Sequence, residues 1–562
     1  MEHKNGTYKR DMKMRMEYRM AAEEKRQKLN VEQKKPVSKL RQHGQKAKQK
    51  GLSALFKLVF SHMMVTVVLL IAQIYLMYAV LYRVQSQAAF LALFYGLGMV
   101  AIVVLINGDD NPAFKLAWII PICIFPVFGV ALYIFISANP GGRHLHKRID
   151  IRVDETRHLL KTEHRVVEKI KKEPSGFRNI CHYLQQNNQM PTYDHTAVTF
   201  FSLGEEKYAD LLMELKKAKS FIFLEYFIIH KGEVWDNILE ILKEKAAEGV
   251  EVRLLYDGMN TLSALPTNYP KKLEKMGIHT RVFEPIRPLL STAQNHRDHR
   301  KILVIDGRVA YNGGINLADE YMNLEERFGH WKDTAVKLEG DAVRSFTIMF
   351  LQMWYMRDKG LGEYEAYLPK PGTYAVKTEG QGYVVPYNDD PVNHLDVAKD
   401  VYMDILYKAR SYVHIMTPYL VPDNELVTAL CFAARRGVDV KIILPHIPDK
   451  KVVFSMARTY YPQLLDAGVE IYEYLPGFVH AKEFITDDNK AVVGSINLDF
   501  RSLYHHFECA TLILKDPVID TIEADFQKTL KKCRKVDFQY YVDLPFSYRI
   551  MGQVARLFAP LV

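Results

Sequence analysis

The chain has 562 residues, 48% of them hydrophobic and 25% charged, enough for several folded domains rather than one small module. Its five cysteines (Cys123, Cys181, Cys431, Cys509 and Cys533) form no CxxC pair and no framework spacing, so they imply neither a disulfide scaffold nor a metal site. The net charge of +10 is confined to residues 1–50, with 16 Lys+Arg against 6 Asp+Glu, while the remainder balances at 59 against 59. A neutral body, and a basic stretch without interleaved aromatics, do not suit nucleic acid.

Taken in chain order, residues 1–52 read as a basic cytoplasmic tail, a topology signal able to touch anionic headgroups. Residues 53–142 read as a transmembrane region, because they hold three uncharged apolar runs: Leu58 to Tyr82, Ala88 to Ile106 and Leu116 to Ala138. Each is long enough to cross a hydrocarbon core of about 30 Å. Pro121 and Pro126 mark the third run as kinked or re-entrant. Three crossings from a cytoplasmic tail would put the rest of the chain outside, whereas Arg143, Lys147 and Arg148 after the third run argue for the inside. The expectation carried forward is a multi-pass protein of a bacterial cell membrane with its larger part cytoplasmic. Residues 143–180 read as a charged juxtamembrane linker.

Beyond residue 180 strand and helix patterns alternate, and they do so twice. Phe221–Ile229 is answered by Tyr412–Val421, Ala246–Gly258 by Ala433–His446, and Gly277–Pro285 by Gly468–Pro476. Two α/β lobes are therefore expected at 181–370 and 371–562, each with helices on both faces of one sheet, related by a pseudo-twofold axis. The repeat is sharpest in two polar motifs 181 positions apart. The first places His299, Lys301, Asp306, Gly313, Gly314 and Asn316 at the same offsets at which the second places His480, Lys482, Asp487, Gly494, Ser495 and Asn497. Residues two apart on an extended segment share a face, so each His projects with its Lys. Two imidazoles, two ammonium groups and two amides form an electrostatic clamp for a phosphodiester.

These paired motifs are the double HKD signature of the phospholipase D superfamily, which they resemble at every position. Within it, Ala117–Ile136, Asn295–Gly307, Gly313–Tyr321, His330–Thr334, Thr417–Asp423, Gly494–Ser502, Phe507–Glu508 and Ala555–Val562 are similar to bacterial cardiolipin synthases. Two positions depart from that pattern: Asp298 stands where Asn is frequent, and Gly314 stands opposite Ser495.

The resemblance implies phosphatidyl transfer between two phosphatidylglycerol molecules, giving cardiolipin and glycerol through a phosphohistidine. His299 is the implied nucleophile and His480 the protonated acid that becomes the base. Lys301, Lys482, Asn316 and Asn497 hold phosphoryl oxygens. Asp333 and Glu508 are candidates for fixing imidazole tautomers. Asp306 and Asp487, members of the motif, are expected near the lysines in structural roles. His296 is expected to shape the site rather than bind zinc. No metal and no cofactor are expected, since no metal-ligand spacing and no glycine-rich nucleotide motif is present. A membrane-bound phospholipase D, or a phosphatidyltransferase using another alcohol, would share all these residues. A nuclease is disfavoured by the membrane region and the neutral body.

Overall fold

The computed structural model describes residues 75, 87–138, 140–260, 264–266, 268–285, 296–370, 373, 382–391 and 395–561, all within one compact unit. The basic tail and, apart from Tyr75, the first apolar run lie outside the described residues.

Two mixed sheets carry the fold, and their strand orders repeat. The first runs Thr196–Phe201, Ala335–Gly340, Val309–Gly313, Lys301–Ile305, Phe221–Tyr226, Glu251–Asp257, Ile278–Phe283. The second runs Tyr383–Asp389, His506–Leu514, Lys490–Gly494, Glu483–Thr486, Tyr412–Met416, Asp439–Pro445, Glu470–Tyr474, and then adds Cys533–Val536. In each, the motif strand pairs antiparallel with a central strand that in turn pairs parallel with the next. The period of two decides what each face buries. In the first lobe Ile222, Leu224 and Tyr226 join a core beneath the outer helices Gly204–Lys216 and Glu233–Ala247. Phe221, Phe223, Ile302 and Val304 turn the other way, into a core shared with the second lobe.

One helix from each half lies in that shared core. Val343–Tyr355, apolar on all sides and buried along most of its length, packs on strands of the first sheet and on Tyr383–Asp389 of the second. Val518–Leu530 packs on the second sheet and reaches Thr196–Phe201 of the first. The lobes therefore share one core and exchange helices across it.

The N-terminal helices are Gln87–Asn107, Pro112–Ile124 and Pro126–Ala138. The apolar run Leu116–Ala138 is not one helix. Phe125 leaves helical geometry at φ −134°, ψ 72°, and the chain folds back so closely that a Cβ on Gly129 would lie 2.6 Å from Ile122 Cα. Pro126 favours the break, because the residue before a proline is pushed out of the helical region. Each piece has 13 residues, about 20 Å at 1.5 Å per residue. Among the described residues no helix is long and apolar enough to cross a membrane. The hairpin instead docks on the second lobe, where Phe114 meets the rings of Phe500, Tyr504 and His505 edge-on and Asn111 Nδ2 donates to Tyr504 Oη at 2.9 Å.

Candidate active site

The two motif histidines stand just before their strands, and each lobe uses the other to hold its own. Arg297–Asp298 pairs in parallel with His506–Phe507 of the second lobe. Gly477–Val479 pairs in parallel with His330–Lys332 of the first. These short ladders end in backbone bonds from His299 N to Phe507 O at 2.9 Å and from His480 N to Lys332 O at 2.6 Å. One residue further on, the partner segment presents a carboxylate. His299 Nδ1 lies 2.8 Å from Glu508 Oε1, and His480 Nδ1 lies 2.7 Å from Asp333 Oδ2. Each histidine is thus oriented by an acid from the opposite lobe, not by the acid that comes after it in its own. An ionised carboxylate only accepts, so both rings carry Nδ1–H and turn an Nε2 lone pair to the site.

The lysines are buried completely, and each ammonium donates to the carbonyl of its motif histidine. Taking an ammonium out of water disfavours its charge. Burial accordingly pulls Lys301 down to about 8 and Lys482 to about 7, the acid groups nearby opposing only in part. The same cause acts on the imidazoles: burial first, then the lysine charges, hold His299 and His480 well below the usual histidine range. Burial lifts the Asp333 carboxyl to about 6, which leaves it ionised at neutral pH.

Asn316 and Asn497 are both buried. Asn316 accepts from Ile228 N at 3.0 Å and donates to Tyr321 Oη at 2.9 Å, and the Tyr321 ring meets His480 edge-on at 5.4 Å. The Asn497 Oδ1 has no hydrogen-bond partner among the described residues. His296 is buried, with Nδ1 at 3.3 Å from the His505 carbonyl.

Asp306 and Asp487 do not join this group, and their expected place near the lysines is corrected. Both take left-handed backbone angles, φ 54° and 53°, in the turn after the motif strand. That is about 16 Å along an extended chain from the lysine that begins the motif. Asp306 accepts from the backbone N–H groups of Lys219, Ser220 and Phe221 at 2.7–2.9 Å. Asp487 accepts from those of Arg410, Ser411 and Tyr412 at 2.8–3.1 Å. Each aspartate fastens the entry of the central strand beside the motif strand.

Several neighbours of the site were not legible in the motifs. Ser495 Oγ donates to Glu508 Oε2. At the equivalent Gly314 a side chain would collide with Asp333 Oδ1, which explains the glycine there. His506, two residues before Glu508, stacks obliquely on His299 at 5.2 Å, while its Nδ1 faces Glu508 Oε1 at 3.7 Å. His299, His506 and Glu508 bring ligand atoms within 4.8 Å of one another, a cluster the sequence spacing does not reveal. Lys301, Lys482 and the Arg501 Nε that donates to His506 Nε2 at 3.1 Å make it an electropositive place, poorly suited to a cation. A histidine directly ahead of the Phe-Glu pair is the only sequence signal that could have drawn attention to it.

This geometry can bind a phosphodiester between two ammonium groups and attack it with a neutral, oriented imidazole. Comparison with known proteins identifies the family. The family described as "Cardiolipin synthase, PLD-like domain" matches residues 211–354 and 402–530, and "Phospholipase_D-nuclease N-terminal" matches residues 96–137. An uncharacterised protein of Streptococcus mutans is 50% identical over 82% of this chain and 99% of its own. A cardiolipin synthase of a Geobacillus strain is 35% identical over 81% of this chain and 90% of its own. The crystal structure of phosphatidylserine synthase from Haemophilus influenzae superposes with a TM-score of 0.52 at 17% identity, over 68% of this chain and 98% of that one, a likeness of fold. With both lobes matched and a relative of that identity aligned over most of both lengths, the chain belongs to the cardiolipin synthase family of phospholipase D-like enzymes.

Proposed function

We propose that the chain transfers a phosphatidyl group from one phosphatidylglycerol to the terminal hydroxyl of another, releasing glycerol and forming cardiolipin. The observation that carries this reading is the crossed arrangement, His299 on Glu508 and His480 on Asp333, beside two buried lysines.

In the first step Nε2 of His299 attacks phosphorus while Lys301 and Lys482, with Asn316 and Asn497, take up the charge on the phosphoryl oxygens. His480 supplies the proton that the departing glycerol oxygen needs. Neutral before substrate binds, it becomes a competent acid when the anionic phosphodiester enters and raises its proton affinity, with Asp333 steadying the imidazolium. In the second step the same ring, now neutral, takes the proton of the attacking hydroxyl. The bond formed and the bond broken are alike, so no nucleotide is required, and release of glycerol draws the exchange forward.

The site is proposed to work at a membrane, with the apolar N-terminal region embedded and the two lobes, 181–370 and 371–562, at the surface. The outward side chains Leu93, Met99, Val103, Leu116, Ile124 and Ile134 support this, because so much exposed apolar surface is unfavourable in water.

The test is an assay of the full chain with phosphatidylglycerol as sole lipid, measuring cardiolipin, glycerol and phosphatidic acid. Equal cardiolipin and glycerol is the expected result. Phosphatidic acid as the dominant product would make the enzyme a phospholipase D, the second reading that the same residues allow.

A further inference from the structure

The helix Phe546–Arg556 is built the wrong way round for a surface helix in water. Its inward side is small or polar. Gly552 sits against the Ser455 backbone and Thr459, the Arg556 guanidinium lies 3.8 Å over the Tyr460 ring, and Tyr548 packs on Arg458. Its outward side is apolar: Phe546 is 70% exposed, Ile550 46%, Val554 52% and Leu557 50%. At 100° per residue these four fall within a quarter of the helix circumference and form one stripe. Phe558, next in the chain, is exposed as well. From Phe546 to Val562 the sequence has two arginines and no acidic side chain.

Three observations place this stripe near the motif histidines. The helix packs along Lys451–Arg458, whose Val452 is also exposed. Lys450, at the start of that helix, is near enough for its charge to depress both His299 and His480. Beyond the helix, the Pro560 carbonyl accepts from His505 Nε2 at 2.9 Å, next to His506, and Leu561 packs into the apolar cluster of Leu105, Trp118, Ile122 and Val130. The stripe therefore joins the apolar hairpin on one side and the exposed Lys450 and Lys451 on the other.

We propose that the outward face of Phe546–Arg556 lies in the interface of an anionic phospholipid bilayer and holds the mouth of the active site against the lipid surface. An apolar stripe on a segment, Phe546 to Val562, whose only charged side chains are basic is the pattern of a helix lying in the headgroup region. The function is to set the height and tilt of the mouth, so that a lipid headgroup reaches the imidazoles while its chains stay in the bilayer. The proposal rests on the reading of the chain as a phosphatidyltransferase acting on membrane lipid.

The experiment uses the full chain in phosphatidylglycerol–phosphatidylcholine nanodiscs, with Cys123 and Cys533 replaced by Ser and an environment-sensitive fluorophore on Ile550→Cys or, as control, on Glu240→Cys. The expected result is a blue-shifted emission at 550, quenched by spin-labelled lipid, and neither effect at 240. Emission at 550 that lipid does not quench, in enzyme that still makes cardiolipin, overturns the proposal and leaves the reaction untouched. So does energy transfer between labelled copies, since a second copy would then cover the stripe. Quenching at 550 in protein that makes no cardiolipin upholds the surface and overturns the reaction instead. A second measurement compares substrates: Phe546→Ser/Ile550→Ser/Val554→Ser should raise the apparent KM for bilayer phosphatidylglycerol several-fold, with kcat unchanged. Turnover of dispersed short-chain phosphatidylglycerol should stay the same. Equal loss on both substrates would assign the stripe a folding role and overturn the proposal.

Discussion

The half-sites around His299 and His480 hold the same polar groups in different surroundings. Beside His480 stand Tyr321, Trp331 and Phe478, with ring centroids at 5.4–5.9 Å. Beside His299 stand Phe227 and His506. In register, His506 occupies the place of Trp331 and Arg297 that of Phe478. Beneath the first motif lies a buried set of Glu225, Asp298 and Arg300, with Arg300 Nε 3.4 Å from Glu225 Oε1. The second lobe has Met416, Val479 and Ala481 at the equivalent positions. Burial raises the Glu225 and Asp298 carboxyls together, and the Arg300 charge opposes that rise. A pseudo-symmetric scaffold supplies two equal imidazoles, and what breaks the symmetry is the packing around them. In the proposed reaction that difference would let one ring serve as nucleophile and the other as proton carrier.

The largest effect is expected from the rings themselves. His299→Ala or His480→Ala should lower turnover by about 10³-fold or more, since nucleophile and acid–base are both needed. Acid-quenched His480→Ala should retain labelled phosphatidyl group and His299→Ala should not; the opposite retention would exchange the two roles. A smaller loss should come from disturbing one crossed carboxylate. Gly314→Ala pushes Asp333 off His480 and should cost about 10²-fold in kcat, as losing an orienting partner does. Ser495→Ala removes only one hydrogen bond to Glu508 and should cost about tenfold or less. Equal effects from these two would mean that the half-sites are not held differently.

The buried lysines set a pH dependence. A lysine held down at about 7 loses its charge as pH rises through that value, so kcat/KM should fall on the alkaline side between about pH 7 and 8, where Lys482 and Lys301 deprotonate. His299, held low, loses its nucleophilic lone pair to a proton only at acid pH and gives the acid limb. Lys482→Arg, which keeps its charge, should carry the alkaline limb to higher pH at reduced kcat. An unmoved limb would exclude Lys482 as its source. The smallest effect expected is none: turnover in EDTA-treated, chelator-buffered enzyme should match the untreated rate. Loss restored by one divalent ion alone would turn His299, His506 and Glu508 into a metal site.

Local spacing carried much of this protein. The His-x-Lys pairs, the asparagines beyond them and the repeated strand–helix pattern are short-range features, and a period of two or a fixed offset survives in any reading of the chain. Asp333 and Glu508 are visible as acids worth attention, but their spacing does not say which histidine each one holds. Their true partners lie 147 and 209 residues away, and only the docking of the lobes brings them together. The same docking removes water from Lys301, Lys482, His299 and His480, and so decides their charge, which no spacing expresses. Proline positions marked the third apolar run for a bend, yet its fold-back at Phe125 depends on Gly129 accepting the Ile122 backbone, a contact between neighbouring helices. Composition and periodicity identified the groups that meet a phosphodiester. Which acid holds which ring, and which groups are charged before substrate arrives, come from burial and long-range pairing, and these exist only in the folded chain.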